Sequence, residues 1–123
     1  MICAEVDAEV IAGSSRLKAG TAQKMILNML TTASMIKIGK TYKNLMIDLK
    51  PTNEKLKDRA IRIVATIADV SYGKALEVLL DTNWEIKTSI VSILKSVDKE
   101  TARLELRKFG GVLRKVLREK TEV

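Results

Sequence analysis

The sequence predicts a mainly α fold, opening on one short strand and closing on a small bundle of helices, and three observations carry that reading. Hydrophobic residues make up 46% of the 123 residues but aromatics only 3%, so the core has to be assembled from Leu, Ile, Val, Ala and Met, the palette of packed helices. Apolar positions recur at helical spacing through segments that begin after Thr, Ser, Asn or Asp. The single proline, Pro51, falls between two such segments, where its restriction of the preceding residue marks a boundary.

Taken in order, residues 1–6 read as a strand, with Ile2 and Val6 apolar and a polar break at Asp7. A lone strand forms no sheet, so this reading places the start of the chain inside a larger fold. A small, polar turn follows, Gly13-Ser14-Ser15-Arg16-Leu17-Lys18-Ala19-Gly20-Thr21, and leads into a helix over 22–38 with Thr21 as N-cap and Gly39 as terminator. Met25, Ile26, Met29, Leu30, Ala33 and Ile36 make its apolar surface wider than one stripe, which predicts burial on more than one side.

Residues 40–51 lack helical spacing yet carry Tyr42, Leu45, Met46, Ile47 and Leu49, so they are expected to be a connector that still packs. The helix over 53–68 is plainly amphipathic, with Leu56, Ala60, Ile63, Val64 and Ile67 opposite Lys57, Asp58 and Arg62. Three shorter helices follow, over 72–80, 84–95 and 99–109, with Ser71, Asn83 and Asp98 as caps. Gly110-Gly111 then breaks the chain before a basic last turn carrying Leu113, Val116 and Leu117. The expected domain boundary lies at about residues 50–53, dividing 1–50 from 51–123.

Charge and cysteine content narrow the functional classes. A net charge of +7, from 22 Lys plus Arg against 15 Asp plus Glu, suits an anionic partner. Nucleic acid is disfavoured, because Tyr42, Tyr72, Trp84 and Phe109 are scattered and form no stacking platform in sequence. One cysteine, Cys3, cannot close an internal disulfide, which suits a reducing cytoplasm. No apolar run approaches the ~20 residues of a membrane span, so no membrane partner is expected.

The chemically suggestive stretch is 13–24. A glycine- and hydroxyl-rich turn entering a helix offers free backbone N–H groups to an anion. Ser14, Ser15 and Thr21 could add hydroxyls, Arg16 a planar fork, and Lys18 and Lys24 point charges. On spacing alone, a capped turn with solvated cations is the commoner outcome of such a pattern. The acids elsewhere read as solvated helix faces, and Met25, Met29 and Met35 as core filler.

The run from Glu9 through Gly13-Ser14-Ser15-Arg16-Leu17-Lys18-Ala19-Gly20-Thr21-Ala22-Gln23-Lys24 to Leu30 closely resembles the signature of N-acetylmuramic acid 6-phosphate etherases and the related glucokinase regulatory proteins. The resemblance continues through Gly39-Lys40, Tyr42 and Asn44-Leu45-Met46-Ile47-Asp48. It extends more loosely through Thr52-Asn53, Arg59-Ala60, Arg62-Ile63 and Gly110-Gly111. Two departures stand out: Asp7-Ala8 where the family usually has Gly-Pro, and Ser14-Ser15-Arg16 where it has Ser-Thr-Arg.

The resemblance implies the last strand and closing helix of an α/β sugar isomerase domain, followed by a ubiquitin-associated-like helical bundle. It implies an enzyme that cleaves the D-lactyl ether of N-acetylmuramic acid 6-phosphate by eliminating lactate and adding water, giving N-acetylglucosamine 6-phosphate and D-lactate. No cofactor or metal is implied. The family's acid and base are glutamates in the earlier part of its isomerase domain, so none of the catalytic residues is expected here. Sugar phosphate is the implied ligand, at Ser14, Ser15, Arg16, Lys18, Thr21 and Lys24. A second copy or the isomerase domain's N-terminal half is the implied protein partner. Glu9, the one glutamate within the signature, is read as capping or orienting the loop beside it. Two other classes stay open: a non-catalytic sugar-phosphate regulator, and a helical module that binds a protein or nucleic acid through its basic face.

Overall fold

The computed structural model describes residues 2–118. They divide between Lys37 and Ile38 into two compact units.

In the first unit, residues 2–9 take no regular structure, which corrects the expected strand over 1–6. A strand needs a neighbour to hydrogen-bond, and the described residues offer none. Met1 lies outside the described residues. Helix α1 runs Lys18–Lys37 and starts one turn earlier than the spacing predicts. The reason is a remote cap: the Glu9 carboxylate accepts the backbone N–H groups of Lys18 at 2.9 Å and Ala19 at 3.1 Å. Those are among the four amides that a helix start leaves unpaired. Thr21, expected as the N-cap, lies inside the helix and donates its hydroxyl to the Leu17 carbonyl at 2.8 Å.

No residue of α1 is buried. Met25, Met29 and Leu30 are more than half exposed, which corrects the expectation that the wide apolar surface is covered. Helical spacing reports which residues want a cover, and says nothing about where the cover comes from.

The second unit builds its own core. Gly39 ends the preceding helical run in the left-handed region (φ +74°), and a Cβ there would lie 2.8 Å from Val112 Cγ2. Strands β1 (Thr41–Tyr42) and β2 (Leu45–Met46) pair antiparallel around Lys43, with Thr41 opposite Met46 and Tyr42 opposite Leu45. Ile47 follows at 1% exposure, its N–H donating to the Lys40 carbonyl at 3.0 Å. The connector therefore packs, through one buried anchor.

Helix α2 (Glu54–Ala68) is capped by Asn53, whose side chain accepts the Leu56 N–H at 2.9 Å. Helix α3 (Tyr72–Asp81) is capped by Ser71, and helix α5 (Lys99–Lys108) by Asp98, which accepts the N–H groups of Glu100 and Thr101. Helix α4 runs Ile86–Lys95 and breaks the pattern. Asn83 does not cap it; Asn83 and Trp84 both sit in the left-handed region, at φ 54° and 64°. Their N–H groups turn back onto the carbonyls of Leu80 and Leu79, at 3.3 and 2.7 Å, and finish α3 instead. Asn tolerates that backbone, whereas a bulky residue such as Trp rarely adopts it. Gly110 and Gly111, both at positive φ, lead into α6 (Leu113–Arg118).

The core joins Ala60, Ile63 and Val64 of α2 to Ala75 and Leu79 of α3 and to Ile90 and Val91 of α4. Ala102, Leu106, Leu113 and Val116 complete it, with Ile47 from the connector. Buried within it, the hydroxyls of Thr82 and Ser89 lie 2.6 Å apart, a paired polar contact where an orphaned one would be costly. Among the described residues no helix is long and apolar enough to cross a membrane.

Candidate functional site

The loop before α1 is ordered from both sides. Gly13 takes φ +83°, and the Ser14 N–H donates to the Ile11 carbonyl at 3.1 Å. Ser14 is half-buried, while Ser15 and Arg16 are exposed in the turn itself. Lys18, the first residue of α1, points its ammonium at the Ala8 carbonyl, 3.0 Å away. Thr21 lies one turn along and Lys24, also exposed, nearly two turns along. A shallow groove brings Lys18 and Thr21 together with Leu17 and Met25, but not Ser14, Ser15 or Arg16. Glu5 and Asp7 line the same groove and oppose an anion within it.

The end of α1 that the sequence offers to an anion already holds one. The Glu9 carboxylate takes the first two amides, so recognition of a phosphate by this loop would rest on side chains, above all Arg16, whose guanidinium has no ion pair among the described residues. The orienting role read for Glu9 from sequence has a geometry here: one carboxylate ties residue 9 to residues 18 and 19 and closes the loop between them.

The second unit holds a cleft of about 700 Å³, a size typical of ligand sites. One wall is the connector from Ile47 to Thr52, and the other is the turn between α3 and α4 together with facing parts of α4 and α5. Two carboxylates lie at it. Asp48 sits between Lys40 at 3.0 Å and Lys87 at 3.4 Å, and Lys87 also donates to the Gly111 carbonyl at 3.2 Å. Glu85 receives a two-pronged contact from Arg103, with Nε and Nη2 each at 3.0 Å, and the Thr88 hydroxyl at 2.7 Å.

These partners set the protonation states. Partial burial pushes the Asp48 carboxyl up, but the hydrogen bond from Lys40 and the charge of Lys87 outweigh it and hold it below the ordinary value. The Arg103 hydrogen bond, against some desolvation, holds Glu85 below its ordinary value too, and Glu85 in turn raises Arg103. Both carboxyls are thus held toward their ionised forms by the cations beside them. Lys50 and Arg107 stand at its edge with no ion pair among the described residues.

Sequence reasoning missed this cleft. Lys87 and Arg103 carried no signal at all. The one legible sign is that Arg103 and Arg107 share a face of α5 by their spacing of four. Asp48 and Lys87 meet only because the connector folds back onto α4.

Comparison with known proteins agrees with the signature in the loop. Residues 43–103 match the family described as the C-terminal lid domain of glucokinase regulatory protein. An N-acetylmuramic acid 6-phosphate etherase of Pseudoalteromonas atlantica is 55% identical over 92% of this chain and 37% of its own length. The etherase of Vibrio campbellii is 54% identical over 91% of the chain and 36% of its own length, and that of Yersinia pestis 50% identical over 91% and 38%. The chain thus spans a little over a third of the length of these relatives. By that likeness, which runs through the loop, the connector and the helices, the chain belongs to the N-acetylmuramic acid 6-phosphate etherase family, whose C-terminal part it matches.

Proposed function

We propose that this chain is the C-terminal portion of an etherase that cleaves the D-lactyl ether of N-acetylmuramic acid 6-phosphate, giving N-acetylglucosamine 6-phosphate and D-lactate. The observation that carries this reading is identity of 50% or more with etherases over nine-tenths of the chain. Residues 1–50 are the tail of the sugar isomerase domain, and 51–123 form its helical, ubiquitin-associated-like companion. The reaction runs in the cytoplasm.

Elimination of lactate needs a base at the proton on C2 and an acid at the leaving oxygen, each with a protonation state suited to its task. Neither role falls to this portion. Glu9 is committed to the first turn of α1, and Asp48 and Glu85 are held ionised by their cations. Its contribution is recognition: Arg16, Lys18 and Lys24 meet the phosphate, and Ser14, Ser15 and Thr21 offer hydroxyls. Met25, Met29 and Leu30, bare on α1, are the surface on which the catalytic portion or a second copy sits. The test is D-lactate release from the phosphosugar, by the chain alone and with an etherase's N-terminal portion supplied. Release only in the combination supports the reading, and none in either, with both pieces soluble and associated, overturns it. In the active combination, Arg16→Ala and Lys18→Ala should each weaken phosphosugar binding roughly tenfold, the scale of one charge-assisted hydrogen bond.

The match to a regulatory protein's lid domain favours a second reading, a non-catalytic sugar-phosphate sensor. Phosphosugar binding without lactate release would select it.

A further inference from the structure

The cleft of the second unit has no part in the etherase reading, and its walls differ in kind. Leu49, Lys50 and Thr52 on the connector side make no hydrogen bond with any other described residue, so among these residues their backbone N–H and C=O groups are unpaired. Pro51 disfavours helical backbone at Lys50, and residues 49–52 take no regular structure, so the segment is compatible with the extended form that strand pairing needs. Opposite them the lining is mixed: half-buried Trp84 and the nearly buried Ile86 and Leu106 give it an apolar floor among charged side chains. Trp84 is half-buried, held by its left-handed turn, and Lys57 lies 5.6 Å from the centre of its ring.

The charge on the lining is lopsided. Asp48 faces Lys40 and Lys87, and Glu85 faces Arg103 with Arg107 near enough to act on it as well, so the four cations of the lining, Lys50 and Arg107 among them, outnumber its two carboxylates. An unpaired stretch of backbone, an apolar floor and an unbalanced cationic rim together suit one kind of occupant. We propose that this cleft is a docking groove for an extended acidic peptide segment that carries a bulky apolar side chain. The peptide adds its backbone to residues 49–52, as in recognition by strand addition. Its apolar side chain goes to Trp84 and Leu106, and its carboxylates meet Lys50 and Arg107. A small sugar phosphate would satisfy the cations but leave the apolar floor and the unpaired backbone unused.

The test uses the full chain and fluorescein-labelled octapeptides of alternating Glu and Leu, alternating Lys and Leu, and alternating Glu and Ser, read by fluorescence anisotropy. Saturable binding of the Glu–Leu peptide at least tenfold tighter than either control is expected. Lys50→Glu combined with Arg107→Glu should weaken it at least tenfold, while Lys115→Glu, on the exposed side of α6, should leave it within twofold. Both substituted positions are exposed, and the helical circular dichroism of each variant checks its fold. In the unsubstituted chain, the Leu49, Lys50 and Thr52 amide resonances should shift on adding the Glu–Leu peptide. Equal binding of the Lys–Leu peptide, or binding indifferent to the double substitution, would overturn the proposal. So would amide shifts produced by inorganic phosphate and not by the peptide, since they would make the cleft a small-anion site.

Discussion

The two units of this chain spend their apolar residues in opposite ways. Helix α1 carries Met25, Leu27, Met29, Leu30, Met35 and Ile36 and buries none of its residues. Helix α4 is half as long and buries Ile86, Ile90 and Val91 together with two hydroxyl residues. Their apolar residues are arranged differently, on one face in α4 and on a surface wider than one stripe in α1, but neither arrangement says whether the cover lies within these residues. What separates them is the neighbouring sequence: α4 is flanked by short connections to other amphipathic helices, and α1 by irregular chain on its N-terminal side. The stability of the second unit therefore belongs to the unit itself, while α1 answers to whatever covers it.

That contrast can be tested from its strongest side first. Ile90→Ala, at a residue with no exposed surface, should cost the second unit about 2–5 kcal/mol in urea unfolding, through lost burial and the cavity left behind. A loss below 1 kcal/mol would mean that this core is loosely packed. Gly39→Ala adds a Cβ into Val112 and forces a left-handed backbone on alanine, and should cost about 1–3 kcal/mol. Val112→Ala in the same chain should recover part of that cost and leave the backbone part. A smaller loss, about 1 kcal/mol, is expected from Asn53→Ala, which frees the Leu56 amide; helicity measured across the denaturant transition reads it.

Acid should weaken the second unit in a defined direction. The folded carboxyls of Asp48, Glu85 and Asp98 all lie below their ordinary values. Groups of that sign contribute stability that is fully present above the unfolded values of 3.8 and 4.5 and is lost as pH falls through the folded ones. A fall in thermal midpoint is expected on acidification below the ordinary carboxylate range, with a shallower slope for Asp48→Asn. An unchanged slope would remove Asp48 from the account. The smallest effect should be on α1. Leu30→Ala, at an exposed position, should move the second unit's stability by no more than about 0.5 kcal/mol. A larger loss would show that α1 is already covered and would erase the contrast.

Much of the second unit is legible residue by residue. Asn53, Ser71 and Asp98 are short polar residues placed just before apolar periodic runs, and each accepts the amide of the residue three positions on. Ala60, Ile63, Val64 and Ile90 are readable as core for the same local reason. Asn83 has the same look and fails, because the preceding helix uses it as a terminator; two adjacent helices compete for one residue, and sequence does not say which wins. Of the candidate site, the loop and its cations are legible as a run, and Glu9 as their orienting residue, since cap and turn lie within ten positions. The cleft is not, because its charges come from positions 48, 85, 103 and 107.

By itself the sequence determined the helical class, the placement of α2, α3 and α5, the caps that start them, and the family to which the loop's signature points. Each rests on interactions between residues within a few positions of one another, which spacing encodes. Only the tertiary structure decided that α1 is bare, that Glu9 caps it from nine residues upstream, and that the connector returns to set Asp48 beside Lys87. Those depend on where chain segments meet in space, and a run of residues carries no distance between segments that do not share a helix or a turn.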